Sequence, residues 1–314
     1  MNTRTNNPQE LNEGCGAEFV HKDVKHPTGV DANNSPLKAA CFDGDADRLI
    51  YFKNGGKPVV IDGDKQFSLL MLYIVELLQA LGLSEFDVSH CLVNTAYANS
   101  QALNYIKRNG ITTKMVPTGV KNAHPVVQQY VIGANDEPNG HGTICVKWEE
   151  LDRALAGKED LIEAKKLRAL LRISNVYVGD AISNLLMIEA VLRDRDWSVD
   201  TFSSMYEEFP NKMYKAVVTD RTKFKTQWDE SRLVDPLELQ ELIDAESALV
   251  QGGRAFVRPS GTEDILRLYV EAKLEADVQR LADAILGAIE TRFKDYDPTK
   301  VSAGGVCGMR CAIQ

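Results

Sequence analysis

The chain has 314 residues, 44% of them hydrophobic and 26% charged, and carries a formal net charge of −9. This is the composition of a globular, water-compatible chain with room for two or three domains. Its acidity argues against general affinity for nucleic acid or anionic membranes, so a phosphate ligand would need a local basic pocket.

Residues 1–36 are polar and rich in Asn, Gly and Pro; 19–20 hint at a short strand and the NNSP run at 33–36 is turn chemistry. Strands are expected at 37–42 and 49–52, and the NGG run at 54–56 turns the chain into a third at 59–61. Asp62 caps a long apolar helix that runs to about 81 and is closed by Gly82. Its apolar run, 67–80, contains Glu76 and Gln79 and is too short to span a bilayer. Strand and helix then alternate: strands at 91–94, 111–116 and 130–134, helices at 99–109 and 122–130. That rhythm predicts a parallel sheet with helices on its faces.

A single long helix is expected over 149–173, charged on one face, followed by helices over 180–192, with Asp180 as N-cap, and 199–209. After Pro210 the pattern gives strands at 213–219, 254–257 and 265–272 and helices at 236–250 and 276–293. The fold class is therefore α/β: parallel-sheet α/β domains, one truncated and one complete, then a small α+β C-terminal domain. The expected boundaries are 1–62, 63–209 and 210–297, with a weakly patterned tail over 298–314.

Six cysteines are scattered, and only Cys307 and Cys311 lie close, with no His nearby to complete a zinc site. A reduced, cytoplasmic protein is the expectation. The first eight residues have no apolar core and do not read as a signal peptide.

Two loops carry chemistry. In DGDADR (43–48), Asp43, Asp45 and Asp47 stand at i, i+2 and i+4. On a straight strand these side chains would be about 7 Å apart, too far for one small ion. Gly44 and Ala46, both small, are expected to let the backbone curl so that the three converge. Three hard oxygen donors without His or Cys suit Mg²⁺. An EF-hand would need Gly and Glu where Arg48 and Asn54 stand, so that reading fails. The other reading is a solvated acidic turn. The second loop is RPSGTED (258–264), followed by Arg267. Arg258 and Arg267 can each clamp an anion with paired N–H donors, Ser260 and Thr262 can donate hydroxyls, and Gly261 leaves backbone N–H groups open. The alternative is a β-turn whose arginines pair with Glu263 and Asp264. In a parallel sheet, ligands gather at the carboxyl ends of strands, which makes NTAY (94–97), PTGVK (117–121) and NDEPNGHG (135–142) candidate site material.

The acidic loop, the EPNGHG loop (137–142) and the RPSGT loop (258–262) occur in that order in one chain. Together with CGA (15–17), NTAYA (94–98), PTGVK and GDAIS (179–183), this resembles the α-D-phosphohexomutase superfamily and, within it, the phosphoacetylglucosamine mutases. The resemblance runs from about residue 11 to 293. Asn139 stands where glucose and mannose mutases usually carry Ser, and Pro138 replaces the usual Ala.

The resemblance implies a Mg²⁺ site at Asp43, Asp45 and Asp47, beside Arg48. It implies hydrogen bonds from Glu137 and Asn139, flanking Pro138, to sugar hydroxyls, with His141 shaping the loop or touching substrate. Arg258, Pro259, Ser260, Gly261, Thr262 and Arg267 would hold the phosphate that is not transferred, and Lys121 would lie near the one that is. The partner is a small hexosamine phosphate, with no nucleic acid and no membrane; the oligomeric state stays open.

The family's carrier serine lies in a Ser-His-Asn-Pro loop, and no such string occurs here; Ser35–Pro36 and Ser89–His90 are the nearest fragments. The chain is thus expected to begin partway into the second of four domains, as a truncated mutase. A non-catalytic sugar-phosphate binder and a Mg²⁺-dependent sugar phosphatase stand as alternatives.

Overall fold

The computed structural model describes residues 12–30, 38–53 and 56–298. The expected turn at 33–36, the strand start at 37, most of the 54–56 turn, the 299–314 part of the tail, and Cys307 and Cys311 lie outside them. The chain forms two compact units, Met1–Glu208 and Phe209–Gln314.

The first unit opens with helix α1 (Gly16–Asp23), where a strand was expected at 19–20. Ala17 and Val20, one turn apart, are fully buried with Ile50 and Phe52, so a helical spacing wins over the β-branched Val20. Strands β1 (Lys38–Phe42), β2 (Leu49–Lys53) and β3 (Val59–Ile61) form an antiparallel sheet in that order, with Phe42 opposite Leu49. The acidic loop is the connection between β1 and β2.

Helix α2 (Gly63–Ala80) follows, with the Asp62 carboxylate accepting from Lys65 N as its N-cap. Phe67, Leu69, Leu70, Met71 and Ile74 are completely buried, each worth about 1.5–3 kcal/mol in transfer free energy. After α2 come β4 (His90–Asn94), α3 (Ser100–Arg108), β5 (Thr113–Met115), α4 (Val120–Val127), β6 (Ile132–Asp136) and β7 (Gly142–Val146). Their sheet has the order β5-β4-β6-β7. The β5–β4–β6 part is parallel, as the alternation predicts, but β7 runs antiparallel to β6. This edge strand was not expected, because the residues before it read as loop. Every residue of β4 and β6 is buried, the mark of strands covered on both faces.

Helices α5 (Trp148–Ala154), α6 (Ile162–Ile173), α7 (Ala181–Asp194) and α8 (Val199–Ser203) complete the unit. The single helix expected over 149–173 is broken, with Gly157 at φ +76° in the break. Among the described residues no helix is long and apolar enough to cross a membrane.

The second unit is built from β8 (Asn211–Val217), the short antiparallel pair β9 (Lys225–Thr226) and β10 (Leu233–Asp235), α9 (Leu237–Ala248), β11 (Arg254–Pro259), β12 (Ile265–Glu271) and α10 (Glu275–Ala288). Its sheet, β11-β12-β8, is antiparallel throughout. Val257, Leu266 and Leu268 cluster with Leu239 and Ile243 of α9 and Leu281 and Ile285 of α10. The molecule is thus α/β in the first unit and α+β in the second.

Candidate functional site

The β1–β2 connection curls as the carboxylates require, at one of the two small residues expected to allow it. Ala46, not Gly44, takes the left-handed conformation, with φ +57°, an unusual state for a residue with a Cβ. It is held there from outside: the Ala46 carbonyl accepts from Ala181 N at 2.9 Å, in the first turn of α7. Asp43 Oδ1 accepts from the backbone N–H groups of Asp47 and Arg48, both at 3.1 Å. The result brings one oxygen of each of Asp43, Asp45 and Asp47 within 4.8 Å of one another.

The charge balance of this loop is incomplete. Arg48 Nε lies 3.6 Å from Asp43 Oδ2 and 3.7 Å from Asp47 Oδ1, too long for hydrogen bonds. Asp47 Oδ1 is buried without a hydrogen-bond donor. Burial, and then the neighbouring Asp47, raise the Asp43 carboxyl above its ordinary range. An all-oxygen donor set, one buried oxygen lacking a donor and crowded like charge together fit a hard divalent cation such as Mg²⁺. They fit a merely solvated turn poorly.

The helix that holds this loop starts at Asp180. Its Oδ1 accepts from Ile182 N and Ser183 N, and its Oδ2 from Ser183 Oγ. Asp180→Ala is expected to cost about 1–2 kcal/mol in urea unfolding and to weaken metal binding through Ala181. Unchanged stability would remove Asp180 from this role.

The 137–141 loop leaves β6 and returns into β7 beside the acid loop. Leu49 N donates to Gly140 O at 3.1 Å, and Arg48 and His141 pair backbone to backbone. His141 Nδ1 lies 3.2 Å from Asp47 Oδ2, so His141 orients a carboxylate of the triad, as supporting groups around metals commonly do. Gly179 makes room for this contact, since a Cβ there would overlap the His141 ring and press on Asp47.

Within the loop, Asn139 Nδ2 donates to Glu137 Oε2 (3.0 Å) while Asn139 Oδ1 accepts from His141 N (3.0 Å). Gly119 N, in the PTGVK loop, reaches Glu137 Oε1 at 3.4 Å. Pro138 O accepts from Gly63 N at 3.3 Å. Lys121 is exposed in the first turn of α4, two residues past Gly119. In the first unit the structure therefore brings Asp43, Asp45, Asp47, Arg48, Glu137, Pro138, Asn139 and His141 together, with the PTGVK loop tied to Glu137.

The second unit holds the other set. Arg258 and Arg267 face each other across the β11–β12 ladder, and Arg267 in turn faces Lys215 of β8. Like charges directly opposite on one face are unfavourable without an anion between them. Arg258 Nε lies 3.6 Å from Glu230 Oε2. Ser260 is buried and its Oγ has no hydrogen-bond partner, while Gly261 and Thr262 are exposed. Gly261 has no positive φ, and a Cβ there would meet nothing, so the backbone does not demand glycine at this position.

Two residues of this pocket escaped the sequence reading. Arg221 Nη2 donates to Gly261 O at 2.9 Å and its Nη1 reaches Asp264 at 3.4 Å, bracing the turn. Lys215 completes the basic row. Neither has a local signal, because both join the pocket only through strand pairing and a distant turn.

Comparison with known proteins gives the geometry a context. Residues 62–197 match the model of phosphoacetylglucosamine mutase AMG1, domain III, and residues 213–288 that of the phosphoglucomutase/phosphomannomutase C-terminal domain. The chain is 36% identical over 298 residues to the phosphoacetylglucosamine mutase of Arabidopsis thaliana, covering 90% of this chain and 54% of that one. Against the Homo sapiens phosphoacetylglucosamine mutase it is 35% identical over 289 residues, covering 89% and 52%. It is similar to the crystal structure of Aspergillus fumigatus N-acetylphosphoglucosamine mutase in complex with GlcNAc-6P and magnesium. There the TM-score is 0.86 at 32% identity, covering 92% of this chain and 55% of that one. The chain spans about half the length of the relatives it matches.

Proposed function

The chain belongs to the phosphoacetylglucosamine mutase family of the α-D-phosphohexomutases, and from that premise we propose that it serves the interconversion of N-acetylglucosamine 6-phosphate and 1-phosphate, in the cytoplasm, on the way to UDP-N-acetylglucosamine. The observation that carries this reading is the carboxylate triad, its oxygens within 4.8 Å of one another, beside the Glu137–Asn139 loop. It stands in a chain that aligns with a mutase structure holding GlcNAc-6P and magnesium.

On this reading Asp43, Asp45 and Asp47 hold Mg²⁺, which neutralises charge on the phosphoryl group in flight. Glu137 and Asn139 accept from and donate to sugar hydroxyls, with Pro138 limiting the loop's freedom. His141 fixes Asp47 and Arg48 tempers the loop's negative charge. Lys121 lends positive charge, or a proton, near the transferring group. Arg258, Ser260, Thr262 and Arg267, between Pro259 and Gly261, hold the phosphate that stays in place. A substrate with phosphate at either end must bind in two orientations, which accounts for a phosphate pocket separate from the metal loop.

The same reading divides the chain into part of a metal-binding domain (1–62), a sugar-binding domain (63–209) and a phosphate-binding domain (210–297). The phosphoryl carrier is assigned to no residue of this sequence.

The test is calorimetric. With Mg²⁺ present the chain is expected to bind N-acetylglucosamine 6-phosphate more tightly than glucose 6-phosphate or inorganic phosphate. Arg258→Ala is expected to weaken binding about 10- to 100-fold, the worth of one charge-assisted contact. No measurable binding, or an affinity indifferent to Arg258, would overturn the proposal.

A further inference from the structure

The joint between α2 and the Glu137 loop is made of two buried acids. Asp64, in the first turn of α2, is 1% exposed, and Asp136, the last residue of β6, is 2% exposed. Each has one oxygen served by a nitrogen donor: Asn99 N gives to Asp64 Oδ2 at 2.7 Å, and Asn94 Nδ2 gives to Asp136 Oδ1 at 2.6 Å. The other oxygen of each, Asp64 Oδ1 and Asp136 Oδ2, is buried without a nitrogen or hydroxyl donor. Asp64 and Asp136 adjoin the contact at which a Cβ on Gly63 would overlap the Glu137 carbonyl, so the two carboxyl groups face each other across it.

Two ionised carboxylates can only accept, so neither can serve the other. One proton between them serves both. We propose that Asp64 and Asp136 share a single proton, Asp64 donating through Oδ1 to Asp136 Oδ2, as an acid pair that locks the Glu137–Asn139 loop onto the N-terminus of α2.

The surroundings favour the proton over a second charge. Burial first, then the charges of Asp62 and Asp136, raise Asp64 well above the ordinary carboxylate range. Burial first, then Asp62, raise Asp136 likewise. The groups facing the pair include Asp62 and Lys65 on α2, Glu137 beyond β6, and Tyr206 and Glu208 after α8; His21 of α1 faces Glu208. Lys65 is engaged by Glu208 at 2.9 Å, so the one ammonium in the cluster answers another acid. The neighbouring acids also sit high, with Asp62 at about 6 and Glu208 at about 7, both raised chiefly by burial.

The joint matters because the two segments touch without side chains between them. A Cβ on Gly63 would overlap the Glu137 carbonyl, and Gly63 N donates to Pro138 O at 3.3 Å. Losing the shared proton would place two like charges at that contact and push α2 and the loop apart. The inference rests on the fold; only its consequence for ligand binding rests on the proposed sugar site.

Asp64→Asn supplies an N–H donor where the acid supplies O–H, and keeps an oxygen for Asn99 N. It should fold, and should remove the proton from the pair. Infrared difference spectra, wild type minus Asp64→Asn at pH 7, are expected to show the carbonyl stretch of a protonated carboxylic acid, the contribution of Glu208 cancelling between the two. Asp136→Asn should lose the same band, since its amide can donate to an ionised Asp64. In the wild type the native state binds more protons than the unfolded chain, so stability falls as pH rises from the unfolded carboxylate range toward the pair's own titration. Asp64→Asn is expected to flatten that fall by up to one proton, at most about tenfold in the folding constant per pH unit above the ordinary carboxylate range. At alkaline pH, amide exchange at Glu137 and Gly140 should be faster in the wild type than in Asp64→Asn. A wild type without the band, bands unchanged in both variants, or parallel stability curves would overturn the proposal. No readout involves a sugar, so its failure is distinguishable from failure of the proposed function.

Discussion

Asp45→Asn is expected to weaken Mg²⁺ binding by the chain at least about 100-fold, beyond the 10- to 100-fold usual for disturbing a ligand's supporting contacts. The choice of Asp45 follows from the division of labour in the loop. Asp43 shapes the turn by accepting from two backbone amides, and Asp47 is tied to His141. Changing either would confound loss of a ligand with loss of shape. Asp45 is the exposed member of the triad, so its substitution removes one ligand charge from an otherwise intact loop. Without metal, the variant should unfold within about 0.5 kcal/mol of the wild type, as exposed positions generally do. With metal the two should separate: the wild type gains about 2.7 kcal/mol when Mg²⁺ reaches 100 times its Kd, and the variant gains almost nothing. Calorimetry and metal-dependent urea unfolding give independent readings of the same loss. Equal affinity in both proteins would return the triad to a solvated acidic turn.

How much of this was legible in the sequence depends on the range of the interaction. The N-caps Asp62 and Asp180 and the stop at Gly82 are local chemistry, and the structure has them. Of the four-stranded sheet, β4, β5 and β6 followed from alternation. β7 did not, because Asn, Pro and Gly before Gly142 read as loop and its pairing with β6 comes from the hairpin closing on Phe67, which packs where a Gly142 Cβ would sit. The helix α1 was hidden for the opposite reason: it is short, and its two buried residues make sense only against β2. The triad could be read because its spacing is i, i+2, i+4. What curls it could not, because Ala46 is held by Ala181 and Asp47 by His141, each contact spanning about a hundred residues or more. The basic turn was readable as RPSGT, while Arg221 and Lys215 arrive through tertiary structure alone.

Gly140→Ala is expected to cost the first unit more than about 3 kcal/mol, whereas Gly261→Ala should change the stability of the second by no more than about 0.5 kcal/mol. Both glycines sit in candidate binding loops, and sequence alone ranks them alike. Gly140 has φ +90°, a conformation that costs a residue with a Cβ about 1–3 kcal/mol. Its Cβ would also overlap the Leu49 backbone, whose N–H donates to Gly140 O. The strand cannot yield cheaply, because Leu49 is fully buried and starts β2 directly after Arg48. Displacing it would break the Arg48–His141 bridge and carry Asp47 with it. Gly140→Ala should therefore lose Mg²⁺ affinity together with stability, although residue 140 offers the metal no ligand. Gly261 has ordinary backbone geometry and open space around its Cα, so an added methyl group displaces nothing. Urea unfolding of the two variants decides the matter. If Gly140→Ala unfolds with the wild type and keeps its metal affinity, the close approach of the Glu137 loop to the acid loop is not what holds the triad together.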